Sequence, residues 1–282
     1  MQSIQQKVAI GLGVLASFLT PSHSASDHPI SLSDPANAIT TNSASYKLDK
    51  LILIGGGEKP ELAINKFIEW AGGSEAKILL IPWASSYSSE ELKSYYLSEV
   101  FAKYNLKNFV VADSTEAIKN NPEQFINSLN SYTGIFFSGG DQNKTLNFLD
   151  ENPEIRYILK QTCLSDIAVC TTSAGTAIMS EFTFTGLDDK LGLPILRPGF
   201  GLIPYPVDQH FIERNREPRL RFATNTFGKV GIGIDSGHAV IFSNGQINSV
   251  GKSCLSIYTC TEQQGKTNTD ILADGESIII PN

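Results

Sequence analysis

The sequence predicts an α/β protein whose mostly parallel central sheet is covered by helices on both faces. Three observations predict it. Short apolar runs of strand length recur between residues 48 and 172. Each is apolar at successive positions instead of alternating, as a strand buried on both faces must be. Helical segments separate the runs, and parallel neighbours need such crossovers.

The elements follow in order. LDKLILIGGG (48–57) is a short buried strand that runs into a glycine turn. Ile64, Phe67, Ile68 and Ala71 then repeat at helical spacing, and Gly72-Gly73 ends the helix. AKILLIPWA (76–84) is a second buried strand. Ser88 and Glu91 form a capping-box pair that opens a helix running to about Tyr104. NFVVAD (108–113) and TGIFFSGGD (133–141) are the third and fourth strands, and Asn121-Pro122 and Asn152-Pro153 each precede a helix. The apolar run Ile167–Val169 leads into CTTSAGTAIM (170–179), a strand, a tight turn and a helix. After Lys229 the character changes. VGIGID, HAVIFSNGQINSV, CLSIYTC and ESIIIP read as strands with little helix between them, which extend the sheet or form an antiparallel edge. No internal repeat is visible.

The chain has 282 residues, 41% hydrophobic and 18% charged, with a net charge of −7. That suits a large globular domain with a sizeable core. No Lys/Arg-rich block stands out, which argues against nucleic acid or an anionic membrane as partner. MQSIQQK followed by the apolar run VAIGLGVLASFL (8–19), Pro21 and small residues has the three-part layout of a secretory signal peptide. We therefore expect residues 1–24 to be a signal peptide cleaved near Ser24/Ala25, and a secreted or periplasmic protein with no membrane attachment after cleavage. Residues 25–46 are rich in Ser, Asn, Asp, Ala and Pro without periodicity and read as a disordered lead-in. A single catalytic domain is expected over residues 47–282. Cys163, Cys170, Cys254 and Cys260 lack zinc-site spacing. Export permits disulfides, and a Cys254–Cys260 bridge and buried free thiols both remain open.

In parallel sheets, function collects in loops at the carboxyl ends of the strands. Here those loops are GGGEK (55–59), PWASS (82–86), SGGDQN (138–143) and TTSAG (171–175). The first lacks both the spacing of a dinucleotide fingerprint and a P-loop lysine, so a nucleotide site is set aside. Thr171 to Gly175 resembles the strand-to-helix elbow G-x-S-x-G, with Thr171 at the first glycine. Ser173 would be its nucleophile, and the Ala174 amide would point at the developing oxyanion. The same serine would also suit a helix cap. A serine nucleophile needs a base. Of the four histidines, His23 and His28 lie in the leader and lead-in, and His238 sits within an apolar strand. His210, in the polar cluster DQHFIERNREPRLRF (208–222), is the better base. Arg214, Arg216, Arg219 and Arg221 follow within eight residues and suit a carboxylate-bearing substrate. Asp141 and Gln142, after Gly139-Gly140, are more than a structural turn requires.

LILIGGGE, FFSGGDQ, TSAGTA, DQHFIERNREPRL and GIGID occur in this order between Leu51 and Asp235. With these motifs the chain resembles the cyanophycinase branch of the peptidase E-like serine peptidases, family S51. The resemblance implies a three-layer α/β/α sandwich of the class I glutamine amidotransferase-like kind. It implies hydrolysis of cyanophycin, a poly-aspartate with arginine on each β-carboxyl, to β-Asp-Arg dipeptides. Carried over, Ser173 is the nucleophile, His210 the base, and the amides of Gly140 and Ala174 the oxyanion hole. Asp141, Gln142, Thr172, Asp208, Gln209, Arg214 and Arg216 would line the substrate pockets. No metal or organic cofactor is called for. One departure matters. Relatives usually carry Gly-Ile-Asp-Glu where this chain has Gly233-Ile234-Asp235-Ser236, and that glutamate is a candidate for orienting the histidine. Asp235, Asp188 and Glu181 are the acids that could replace it. Two alternatives stay open: a dipeptidase for aspartyl or isoaspartyl peptides, and a catalytically impaired peptide-binding homologue, for which Ser236 speaks. The oligomeric state is open too, a homodimer included.

Overall fold

The computed structural model describes residues 49–252, 255–261 and 266–279. The expected signal peptide, the lead-in and the Cys254–Cys260 pairing fall on residues or side chains outside these. Strands β1 (Leu51–Ile54), β2 (Lys77–Ile81), β3 (Asn108–Val111), β4 (Gly134–Phe137) and β5 (Ala168–Thr172) lie where the apolar runs predict them. They pair in parallel in the order β1-β5-β4-β2-β3.

Two apolar layers form because alternate residues of each strand face opposite ways. Ile52, Ile54, Ile78, Leu80, Phe136 and Cys170 belong to one cluster, and Leu51, Leu53, Leu79, Ile81, Phe137 and Val169 to the other. Helix α1 (Glu61–Trp70) covers the first with Ala63, Ile64, Phe67 and Ile68. Helix α2 (Ser89–Tyr95) opens on the expected capping box: the Glu91 amide donates to Ser88 Oγ at 3.2 Å, and the Ser88 amide to Glu91 Oε2 at 2.8 Å. It is shorter than the sequence suggests. A wide turn follows, closed by the Phe101 amide on the Tyr96 carbonyl at 2.7 Å, and it lets Tyr96 and Phe101 both pack on Phe136. After the short helices α3 (Thr115–Asn120) and α4 (Pro122–Ser128), α5 (Gln142–Glu151) and α6 (Pro153–Leu164) cover the other face with Leu146, Leu149, Ile155 and Leu159. Helix α7 (Ala174–Ala177) is a single turn directly after β5.

The later strands divide in two. Hairpin β6 (Phe182–Leu187) and β7 (Pro194–Pro198) stands apart as a two-stranded sheet. Strand β8 (Val207–Gln209) precedes helix α8 (Glu217–Phe227) and pairs in parallel with β9 (Gly231–Ile234). Strands β10 (His238–Ser243), β11 (Gln246–Gly251) and β14 (Ser277–Ile278) extend the main sheet antiparallel beyond β1, as the sequence allows. Strands β12 (Leu255–Thr261) and β13 (Lys266–Leu272) instead join β9 and β8 in a second sheet, ordered β13-β12-β9-β8. Val207, Ile232, Ile234, Leu255 and Ile257 of that sheet pack on the second core cluster. The carboxyl ends of β8 and β9 thereby arrive beside the carboxyl end of β1. Cys163 and Cys170 are buried free thiols. No helix among the described residues is long and apolar enough to cross a membrane.

Candidate active site

Ser173 stands between β5 and α7 with φ 52° and ψ −113°, a conformation L-residues avoid. Such strain costs about 1–3 kcal/mol and persists only where the surroundings over-determine it. They do so here. The Ser173 amide donates to the Ile54 carbonyl at 3.0 Å, and the Ser173 carbonyl accepts from the Ala177 amide at 2.9 Å. Thr176 Oγ1 donates to the same Ile54 carbonyl at 2.7 Å and lies 2.8 Å from Thr171 Oγ1. Gly175 allows α7 to sit on β4, since a Cβ there would approach the Phe137 carbonyl oxygen to 2.5 Å. The turn lifts Ser173 Oγ to partial exposure while its neighbours Thr172 and Ala174 stay buried.

His210 follows β8, at φ 48°, with its amide on the Gly55 carbonyl at 3.0 Å. Its Nε2 lies 2.8 Å from Ser173 Oγ. On the other side, Nδ1 lies 2.6 Å from Glu213 Oε1 and 2.6 Å from Ser236 Oγ. An ionised carboxylate only accepts hydrogen bonds, so Nδ1 carries the proton and Nε2 presents its lone pair to the serine hydroxyl. Burial, and then the charge of Arg214, hold the imidazole below its ordinary pKa, while Glu213 pulls it up. His210 is therefore neutral and basic at pH 7. The Glu213 carboxyl is held below its usual range, first by the Ser236 hydroxyl and then by His210 and Arg214. The loop after β1 closes against the ring from behind. Gly56, at φ +130°, lies so close that a Cβ would overlap His210 Cε1.

The other residues named from the sequence divide into open and enclosed groups. Gly139 sits against the serine, where a Cβ would lie 3.1 Å from Ser173 Cβ. Gly140, exposed at φ +138°, is pressed to the Ala84 carbonyl. The Ala174 amide heads a helix and, like that of Gly140, makes no hydrogen bond among the described residues. Asp141 is exposed and caps α5 through the Asn143 amide at 2.9 Å, while Gln142 Nε2 donates to the Phe184 carbonyl at 2.9 Å. Arg214 is open, its side chain 52% exposed. Thr172, Asp208 and Gln209, expected to line a substrate pocket, are buried. The Asp208 carboxylate, 0% exposed, accepts from Arg219 Nε and Nη2, both at 2.5 Å, and from Arg216 Nη1 at 3.2 Å. Burial pushes that carboxyl up from its ordinary range, and the two guanidiniums pull against the shift. Arg216 is thus tied to Asp208 and to the Gln209 carbonyl.

The acids named for His210 are engaged elsewhere. Asp188 accepts the Lys190 and Leu191 amides at 2.9 and 2.7 Å in the β6–β7 turn. Glu181 pairs with Lys229. Asp235 accepts the Ile212 amide at 2.8 Å, bracing the segment that carries Glu213. Glu213 itself was missed by sequence reasoning, although it stands three residues from the chosen base. His238 is buried in β10, with Nε2 2.7 Å from Ser249 Oγ.

Residues 51–250 match peptidase family S51. The chain belongs to that family. The chain is 30% identical to a cyanophycinase from Geminocystis herdmanii, over 75% of this chain and 81% of the other. To a cyanophycinase from Synechococcus elongatus it is also 30% identical, over 82% of this chain and 74% of the other. Among solved structures, a peptidase from an acI-B1 Actinobacterium superposes with a TM-score of 0.60 at 20% identity, covering 83% of this chain and 97% of that one. The likeness places the fold with the peptidase E-type, class I glutamine amidotransferase-like sandwiches. As an S51 member, the protein is a serine-type peptidase.

Proposed function

We propose that this S51 peptidase hydrolyses cyanophycin to β-Asp-Arg dipeptides, with Ser173 as nucleophile and His210 as base. The observation that carries this reading is the 2.8 Å approach of Ser173 Oγ to His210 Nε2, in a chain whose relatives include cyanophycinases. Ser173 Oγ attacks the scissile carbonyl while its proton passes to Nε2. The amides of Ala174 and Gly140 donate hydrogen bonds to the carbonyl oxygen as negative charge develops on it. His210 then gives the proton to the leaving amine, and activates the water that releases the acyl group. The open residues Arg214 and Asp141, with the half-buried Gln142 beside them, meet the substrate: the cation its carboxylates, the acid its guanidinium. The peptidase acts outside the cytoplasm, on polymer released by other cells, after loss of residues 1–24.

The test is incubation of residues 25–282, and of the same chain with Ser173→Ala, with cyanophycin and with β-Asp-Arg. Dipeptide should be released from the polymer, and the variant should lose at least about 10⁴-fold in kcat. Cleavage of β-Asp-Arg alone would establish a dipeptidase instead. Tight polymer binding without turnover would establish the impaired homologue.

A further inference from the structure

His210 needs a group behind it. As it takes the serine proton it becomes an imidazolium, and an acid on Nδ1 stabilises that charge and fixes the ring and its tautomer. Ser236, whose hydroxyl stands against Nδ1, has no charge to offer. The structure nevertheless puts a carboxylate on Nδ1, and it comes from another place. After His210 the chain turns back on itself, with the Arg214 amide on the His210 carbonyl at 3.2 Å and the Asn215 amide on the Ile212 carbonyl at 3.0 Å. That turn folds Glu213 under the ring, 2.6 Å from Nδ1, a short distance of the charge-assisted kind. Asp235 pins the turn through the Ile212 amide. Ser236 completes the arrangement. Its hydroxyl bonds the Glu213 carboxylate and its oxygen lies 2.6 Å from Nδ1. Two protons serve the three contacts: Nδ1–H is shared between the Glu213 and Ser236 oxygens, and the Ser236 hydroxyl donates to Glu213.

We propose that Glu213 is the positioning acid of this peptidase, supplied by the segment of His210 itself, with Ser236 steering it. The Ser236 hydroxyl holds the carboxylate against the ring. Glu213 touches no reacting atom and acts through His210. Its side chain is 47% exposed, so solvent screens it and its worth falls below that of a buried triad acid. The inference rests on the reading of Ser173 and His210 given above.

The test uses the mature chain, Glu213→Gln, and the double variant Glu213→Gln with Ser236→Glu. Kinetics are followed against pH, and the His210 Cε1 proton is titrated by NMR. Among the described residues, the charged groups that bear on the ring are Glu213, Arg214 and Arg216 on its own segment, with Asp235 in the β9–β10 turn and Glu58 and Lys59 further along the Gly56 loop. Glu213→Gln removes the group that raises the His210 pKa. The titration, and the acid limb of kcat/KM, should therefore move to lower pH. We expect kcat to fall by about 10²–10³-fold, below the ~10⁴-fold of a buried triad acid, with KM changed less than about threefold. The double variant, with a carboxylate restored on the other side, should regain at least tenfold of the loss. A Glu213→Gln enzyme with kcat within twofold of wild type and an unmoved acid limb would overturn the proposal. So would a loss that the double variant leaves unrepaired. Should the wild type turn over neither substrate, the proposed function falls, and the NMR titration still decides: a His210 pKa unchanged by Glu213→Gln removes Glu213 from the role.

Discussion

Ser173 and His210 both sit at positive φ, 52° and 48°, and neither is a glycine. Each holds that conformation because its backbone amide is bonded to the β1 end of the sheet, Ser173 to Ile54 and His210 to Gly55. The Gly55-Gly56-Gly57 loop is therefore a mould for the Ser173–His210 pair, which explains its glycines without any phosphate. Gly56 is the position to test. At φ +130° a Cβ is strained whatever the space, and here it would also overlap the His210 ring. Gly56→Ala should displace the imidazole from Ser173 Oγ, and misplacements of this size cost about 10²-fold in rate. Kinetics together with the NMR signal of His210 check this: a large loss of kcat with a shifted ring signal is expected. Activity within twofold of wild type would mean that the loop does not set the ring.

Between β8 and α8 the interest lies in a buried charge cluster. Asp208, on β8, holds Arg216 and Arg219 at the start of α8, so it fastens the helix that follows His210. Removing one partner of a buried ion pair leaves the other uncompensated. Asp208→Asn should therefore lower unfolding stability by about 3 kcal/mol in urea titrations, with KM changed less than about threefold. A raised KM at unchanged stability would return Asp208 to the substrate pocket that its motif suggests. This cluster also marks where the sequence stops being legible. The five parallel strands can be read because each is apolar on both faces, and the elbow because small residues follow an apolar run. The second sheet cannot. Strands β9 and β10 are similarly apolar, and only long-range pairing assigns β10 to β1 and β9 to β12. Asp208 and Arg216 look like ligand-binding residues because their charges stand beside a candidate base, and spacing does not reveal that they face each other. Glu213 escaped for a related reason. Its contact with His210 needs a histidine at positive φ and a non-helical turn, which no periodicity signals. The serine at 236 was the one available hint, because it implied that an acid was missing from its usual place.

On the scale of the whole chain, the folded body explains peptidase chemistry but not where that chemistry takes place. VAIGLGVLASFL, residues 8–19, preceded by Lys7 and followed by Pro21 and small residues, is the feature that points to export. Twelve residues of helix reach about 18 Å, well short of the ~30 Å hydrocarbon core of a bilayer. Such a run suits a cleavable leader and not a span. Residues 25–46, expected to follow the cleavage site, carry none of the residues assigned to the site. Expression of the full chain in a secreting bacterial host should release a protein whose first residue, read by intact mass, lies within a few positions of Ala25. Reducing the apolarity of the run, with Leu15→Lys and Leu19→Lys together, should keep the protein inside the cell at its full mass. A released chain that still carries Met1, or an unchanged yield outside the cell for the doubly substituted chain, would rule out the leader. The peptidase would then have to be assigned to polymer inside the cell that makes it.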